Sequence, residues 1–304
     1  MAATIRQGVT RCRGQLGLDG SYPSLPRASR FVKLVRVSLK CAPHQLRQGN
    51  LEGVDVEMHF EGLDAYSRGS PSSFTGVRRL SVRLSSLDEA AAACDFISRC
   101  VGVKTAVVRM RDVKKEVPFI LHSSCLTRLR IVGDMTFGGM CLPALHTLEV
   151  VCEGKLLQLH PSDAFPSLQS LWVTARYLHR DVAVPPSLHR LRIHAQTHHS
   201  LSLSSVLPKL TYLCLGNLTL AVDFETCFAN LLHLQLEDAT LNDLPPSQLV
   251  ALAQTHPRLE ALTVVCVRTP ASVLAAWSEV RQTMGGRGSC IKDGIVLQLQ
   301  LRAE

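Results

Sequence analysis

Between Phe165 and Leu215 the chain repeats one phrase three times: Phe-Pro-Ser-Leu-Gln-Ser-Leu-Trp-Val, Pro-Pro-Ser-Leu-His-Arg-Leu-Arg-Ile and Leu-Pro-Lys-Leu-Thr-Tyr-Leu-Cys-Leu. Each copy puts apolar residues at positions one, four and six of an L-x-x-L-x-L unit, with a proline two residues before position one. The period is 20–22 residues. A unit that short cannot bury its apolar side chains alone, so successive units must stack and share one continuous core.

The same phrase extends in both directions. Its first positions are Leu34, Leu51, Val77, Val103, Leu126, Leu145, Leu168, Leu188, Leu210, Leu231, Leu259 and Val296, clearest from Leu126 to Leu259. Alternation across x-L-x-L-x predicts a short strand in each unit, with positions four and six facing inward and positions three, five and seven outward. The proline recurs at Pro143, Pro166, Pro186, Pro208 and Pro257. Its fixed φ and missing N–H suit a chain turning into a strand.

Most spacers leave room only for extended or one-turn connectors. The longer ones predict helices. Ser86 to Glu89 forms a capping box ahead of Leu87, Ala90, Cys94, Ile97 and Val101 at helical spacing. A second helix is expected over Pro246–His256, with Leu249, Leu252 and Ala253. A third begins at Thr269 and Pro270, with Val273, Leu274, Trp277, Val280 and Met284 on one face, and stops at Gly285–Gly288. Val296–Leu301 alternates strictly and reads as a closing strand at the C-terminal edge.

On these residues the chain resembles the leucine-rich repeat superfamily from about Leu34 to Leu301, most closely from Leu126 to Val264. The resemblance implies an α/β solenoid, a curved horseshoe with a parallel concave sheet and short helical or extended convex connectors. It also implies a binding scaffold, since most such proteins recognise other proteins on the concave sheet. The sequence departs from the family at position nine, where the usual Asn or Cys is replaced by Asp134, Glu153, Arg176, Gln196, Leu218, Ala239 and Val267. No asparagine ladder can form, so looser turns and irregular curvature are expected, and no subfamily is assigned.

The domain organisation read from the sequence is a basic, disordered segment over residues 1–30, then a repeat domain over 31–304 capped by a helix and strand at about 269–304. Arg6, Arg11 and Arg13 precede the first acidic residue, Asp19, so a mitochondrial presequence is the alternative to an ordinary basic terminus. The expected compartment is otherwise the cytoplasm: the 11 cysteines are odd in number and form no C-x-x-C pair, which suits a reduced intracellular protein. No stretch approaches the ~18 consecutive apolar residues of a membrane span. A content of 46% apolar but only 5% aromatic residues fits a leucine- and valine-filled solenoid.

The net charge of +8 matters through its placement. Of the 36 outward positions in the twelve frames, ten are Lys or Arg and four are acidic, an excess that nearly accounts for the net charge. Arg128, Arg130, Arg190 and Arg192, with Trp172 and Tyr212, form the expected binding patch, since Arg, Trp and Tyr dominate binding hot spots. The expected function is non-catalytic: a protein-interaction scaffold that binds an acidic partner. An RNA-binding role on the same basic face is one alternative. An F-box-like ubiquitin ligase substrate receptor is another, although no F-box helices are evident in residues 1–50. His189, His194, His198 and His199 read as surface histidines, because strand alternation places His189 and His194 on opposite faces. No cofactor motif or catalytic signature is found: Gly285–Gly288 lacks the lysine and preceding strand of a phosphate loop.

Overall fold

The computed structural model describes residues 15–17, 36–38, 55–59, 78–84, 87–110, 117–118, 120–136, 139–155, 164–177, 184–201, 206–220, 227–237, 256, 258–266, 278–279, 282, 287–291 and 295–300. They belong to two compact units, Met1–Leu145 and His146–Glu304.

In the first unit, β1 (Gln15–Gly17) and β2 (Arg36–Ser38) form a parallel pair. Then come β3 (Asp55–His59), β4 (Arg79–Leu84), the helix α1 (Leu87–Arg99) and β5 (Thr105–Met110). β6 (Val117–Pro118), β7 (Arg128–Val132) and β8 (Met135–Thr136) follow. Strands β3, β4, β5 and β7 lie side by side, all parallel, and β6 pairs with β8.

The second unit contains β9 (Thr147–Lys155), β10 (Ser170–Tyr177), β11 (Arg190–Leu201), β12 (Tyr212–Leu220), β13 (His233–Glu237) and β14 (Ala261–Cys266) as one parallel array. β15 (Arg287–Ile291) and β16 (Ile295–Gln300) close it, with β16 antiparallel to β14 and β15 outside β16. One parallel strand per repeat, added in chain order with little helix, is the pattern of a repeat solenoid.

The inward positions pack as the phrase requires. Positions four and six are buried in every described frame from Leu80 and Val82 to Leu262 and Val264. Each fully buried leucine contributes about 2–3 kcal/mol from area removed from water. Hydrogen bonds in register (Leu171 with Leu148 and Leu191, Leu213 with Leu191 and Leu234) stack these side chains in rows.

The prolines sit where their chemistry is useful. Leu168 N donates to Phe165 O, Leu188 N to Pro185 O and Leu210 N to Leu207 O, each at 3.1 Å. Pro166, Pro186 and Pro208 thus occupy the second corner of a four-residue turn, the position that a fixed φ favours. The residue opening each turn is also core: Leu142, Phe165, Leu207 and Phe228 are buried, as is His256. That fourth inward position was not part of the sequence phrase.

Two expectations need correction. Val101 was placed on the buried helix face, but α1 ends at Arg99 and Val101 is 57% exposed. The reason is local: Cys100 N bonds Ile97 O and Val103 N bonds Cys100 O, so Val101 is pushed to the corner of the next turn. The segment from Val296 is a strand, but it runs antiparallel and is not at the edge. Gly288, the last residue of the run expected to stop the preceding helix, lies within β15, and residues 283–286 lie outside the described residues. Position nine is irregular, as expected. Asp134 lies between β7 and β8, and Ala239 and Val267 lie outside the described residues. Glu153, Arg176, Gln196 and Leu218 lie within the spans of β9, β10, β11 and β12, but the β9–β10 register shifts at Arg176, between Ala175 and Tyr177. The register then slips: His194 pairs with Gly216 but His199 with Leu218, where Asn217 adopts a φ of 53°.

The helix expected over 246–255 lies outside the described residues, as does most of that expected over 269–284, of which Ser278, Glu279 and Gln282 are described as helical. Residues 1–30 are likewise outside them apart from β1. Among the described residues, no helix is long and apolar enough to cross a membrane.

Candidate binding face

Parallel register turns the outward positions into rows across the sheet. In the first unit the rows are Arg79–Thr105–Arg128, Ser81–Val107–Arg130 and Arg83–Arg109–Val132. Arg128 and Arg130, both expected site residues, are exposed on β7. Arg109 Nη1 donates to Ser81 Oγ at 3.0 Å, tying two of these rows together.

In the second unit the rows are Ser170–Arg190–Tyr212–His233, Trp172–Arg192–Cys214–Gln235 and Thr174–His194–Gly216–Glu237. The fold therefore brings Trp172, Arg190, Arg192 and Tyr212 together on three adjacent strands, while Arg128 and Arg130 belong to the other unit. Trp172 is 40% exposed and Arg190 is exposed, with no side-chain hydrogen bond or ion pair to another described residue.

Arg192 and Tyr212 stand differently. They belong to a polar network centred on Glu237, whose side chain is only 12% exposed. Glu237 Oε1 accepts from Gln235 Nε2 at 2.6 Å and from Arg192 Nη2 at 3.3 Å. Its Oε2 is 3.5 Å from the same Nη2 and 4.0 Å from His194 Nε2. Cys214 Sγ approaches Oε1 at 3.5 Å, and Tyr212 OH donates to Gln235 Oε1 at 3.0 Å. Gln235 thus uses its carbonyl for the phenol and its amide for the carboxylate.

The cause is the size of two side chains on β12. Cys214 and Gly216 hold consecutive outward positions, and both are buried although they face outward. Longer neighbours on β11 and β13 close over them. The His194 ring occupies the place that a Cβ on Gly216 would take: such an atom would be 2.1 Å from His194 Cδ2.

This geometry disfavours the Cys214 thiolate. Burial, then the neighbouring Glu237 carboxylate, push it up to about 12. A thiol shifted that way is a poor nucleophile. The Tyr212 phenol is also raised, first by burial and then by Cys214. Both Arg192 bonds to Glu237 use Nη2, which leaves the Nη1 and Nε donors without a partner among the described residues. The side chain is 42% exposed, so that edge of the guanidinium is open to a ligand.

Sequence reasoning placed every one of these residues outward but missed the network. The available signal was Cys214 followed by Gly216, two small residues at consecutive outward positions. Among the described residues no three His, Cys, Asp or Glu side chains are grouped to hold a metal ion. No protein-family model matches the chain, and no curated protein matches it.

Proposed function

We propose that this chain is a non-catalytic protein-interaction scaffold of leucine-rich-repeat type, binding an acidic partner through the outward face of its sheet. The observation that carries the reading is Trp172 in register with Arg192, with Arg190 one outward position away on the same neighbouring strand: an exposed indole near one guanidinium without a partner among the described residues and one held by Glu237 with its other edge free. Arginine forks match carboxylates in two hydrogen bonds, and a tryptophan adds a large apolar contact at little entropic cost. Arg128 and Arg130, exposed on the first unit, would attract acidic segments there.

The test is affinity purification of tagged wild type and Arg190→Glu, each with and without nuclease. An acidic protein lost in the variant and resistant to nuclease supports the reading. Loss on nuclease treatment in both forms replaces it with a ribonucleoprotein role. The same partners in all four arms would show that this face is not used.

A further inference from the structure

The first unit carries a second basic surface at the N-terminal edge of its strands. Lys104 N and Thr105 N both donate to Arg78 O, at 2.9 and 3.1 Å. Thr127 N and Arg128 N both donate to Lys104 O at 2.9 Å, and Thr127 Oγ1 donates to the same oxygen at 2.9 Å. This ladder fixes the starts of β4, β5 and β7 side by side, with strands about 4.8 Å apart. Arg78, Lys104 and Arg128 are all exposed there, and none has a side-chain hydrogen bond or ion pair with another described residue.

Nothing on these strands balances the charge. β5 and β7 contain no acidic residue. Among the other described carboxylates of the unit, Asp88 and Glu89 belong to α1, where Glu89 is buried, Asp95 pairs with Arg99, and Asp134 follows the far end of β7. Asp55 and Glu57 lie on β3, beyond β4, with Asp55 in register with Arg79. Lys104 and Arg128 are therefore the least opposed. Like charges held on neighbouring strands repel, and an anion laid across them relieves the repulsion.

We propose that this edge docks an extended acidic segment of a partner protein, a run of Asp and Glu. In an extended chain, alternate residues recur about every 6.8 Å, which suits cations whose backbones are about 5–10 Å apart. An aliphatic contact lies beside them: Val101 stands 57% exposed in the turn leading to Lys104. A single-stranded nucleic acid would want aromatic platforms for its bases, whereas the exposed large apolar side chains described in this unit, Val101 and Ile120, are aliphatic. The surface shares only Arg128 with the face proposed above and does not depend on it.

The experiment uses the full chain and a fluorescein-labelled ten-residue polyglutamate, read by anisotropy at about 50 mM salt, where exposed charges are weakly screened. Arg78→Glu/Lys104→Glu should weaken binding at least about tenfold, while Lys209→Glu, a charge reversal at an exposed residue of the second unit outside both faces, changes it less than about twofold. Arg78→Gln/Lys104→Gln should weaken it by a smaller step, and decides the matter if the reversed pair unfolds. The proposal is overturned if wild type does not bind, if Lys209→Glu loses binding as much as the edge variant, or if both Gln substitutions leave affinity unchanged. It is overturned as well if oligouridylate of equal charge binds more tightly, which would make the edge a nucleic-acid surface.

Discussion

Arg192 on β11 and Glu237 on β13 meet across the intervening strand, Nη2 to Oε1 at 3.3 Å, because β12 offers only Cys214 and Gly216 beneath them. Two strand spacings are about 9.6 Å, a gap that the long arginine stem spans and a short cation would not. The carboxylate is the common acceptor for several donors, so removing it leaves them all short.

Glu237→Ala should therefore cost about 1–3 kcal/mol of stability, since Gln235 Nε2 and Arg192 Nη2 lose their acceptor in a half-buried site. Glu237→Gln keeps an acceptor oxygen and should cost less. Urea unfolding of the two variants checks the order. A wild-type midpoint for Glu237→Ala would mean that the network contributes nothing to the fold.

Arg190 and Arg192 look equivalent in sequence, and structure separates them. Arg190→Glu alters an exposed side chain without a described partner and should change stability by less than about 0.5 kcal/mol. Arg192→Glu sets a second carboxylate against Glu237 and should be clearly destabilising. Adding Glu237→Gln to Arg192→Glu should restore part of the loss, a coupling that a double-mutant cycle measures.

Gly216→Ala should displace the His194 ring, because the new Cβ would fall 2.1 Å from its Cδ2. The backbone there needs no left-handed conformation, so the cost is steric and can be removed. His194→Ala should make Gly216→Ala nearly neutral. If Gly216→Ala costs the same in both backgrounds, the ring does not lie over the glycine in solution.

The inward half of this fold was legible because it depends on period alone. Leu129, Leu148, Leu171, Leu191, Leu213, Leu234 and Leu262 occupy position four of successive phrases and are all buried, as the phrase requires. Turn chemistry was legible from the prolines. What escaped was relational: Tyr212, Gln235 and Glu237 are unremarkable as separate polar residues, and only the strand register makes them neighbours. Val101 escaped for another reason. Helical spacing continued past Arg99, but backbone bonds from Cys100 and Val103 had already begun a turn.

Burial pushes the thiols of Cys94, Cys100 and Cys214 up to about 12, from 9.0 when unhindered. The folded state thus favours the protonated form. Its contribution is complete below pH 9 and is lost as pH climbs from 9 towards 12, so stability should fall over that window. At pH 8 iodoacetamide should label exposed Cys141 in the native protein and reach the three buried thiols only in denaturant. Mass spectrometry of the labelled peptides reads both. Fast native labelling of Cys214 would show that the cover over β12 opens readily.

Leu191→Asp tests the shared core itself. Leu191 is fully buried, in register with Leu171 on one side and Leu213 on the other, so the new carboxylate would enter a layer built by three successive repeats. Burying an unpaired charge costs far more than the ~2–3 kcal/mol of the lost leucine, and in a solenoid the damage passes to nearest neighbours. Hydrogen exchange should show protection lost together over β10, β11 and β12. Leu191→Met, which keeps the volume, should cost less than about 1.5 kcal/mol and preserve that protection. Protection retained in the Asp variant would place Leu191 outside the core and overturn the register on which the whole outward face is assigned.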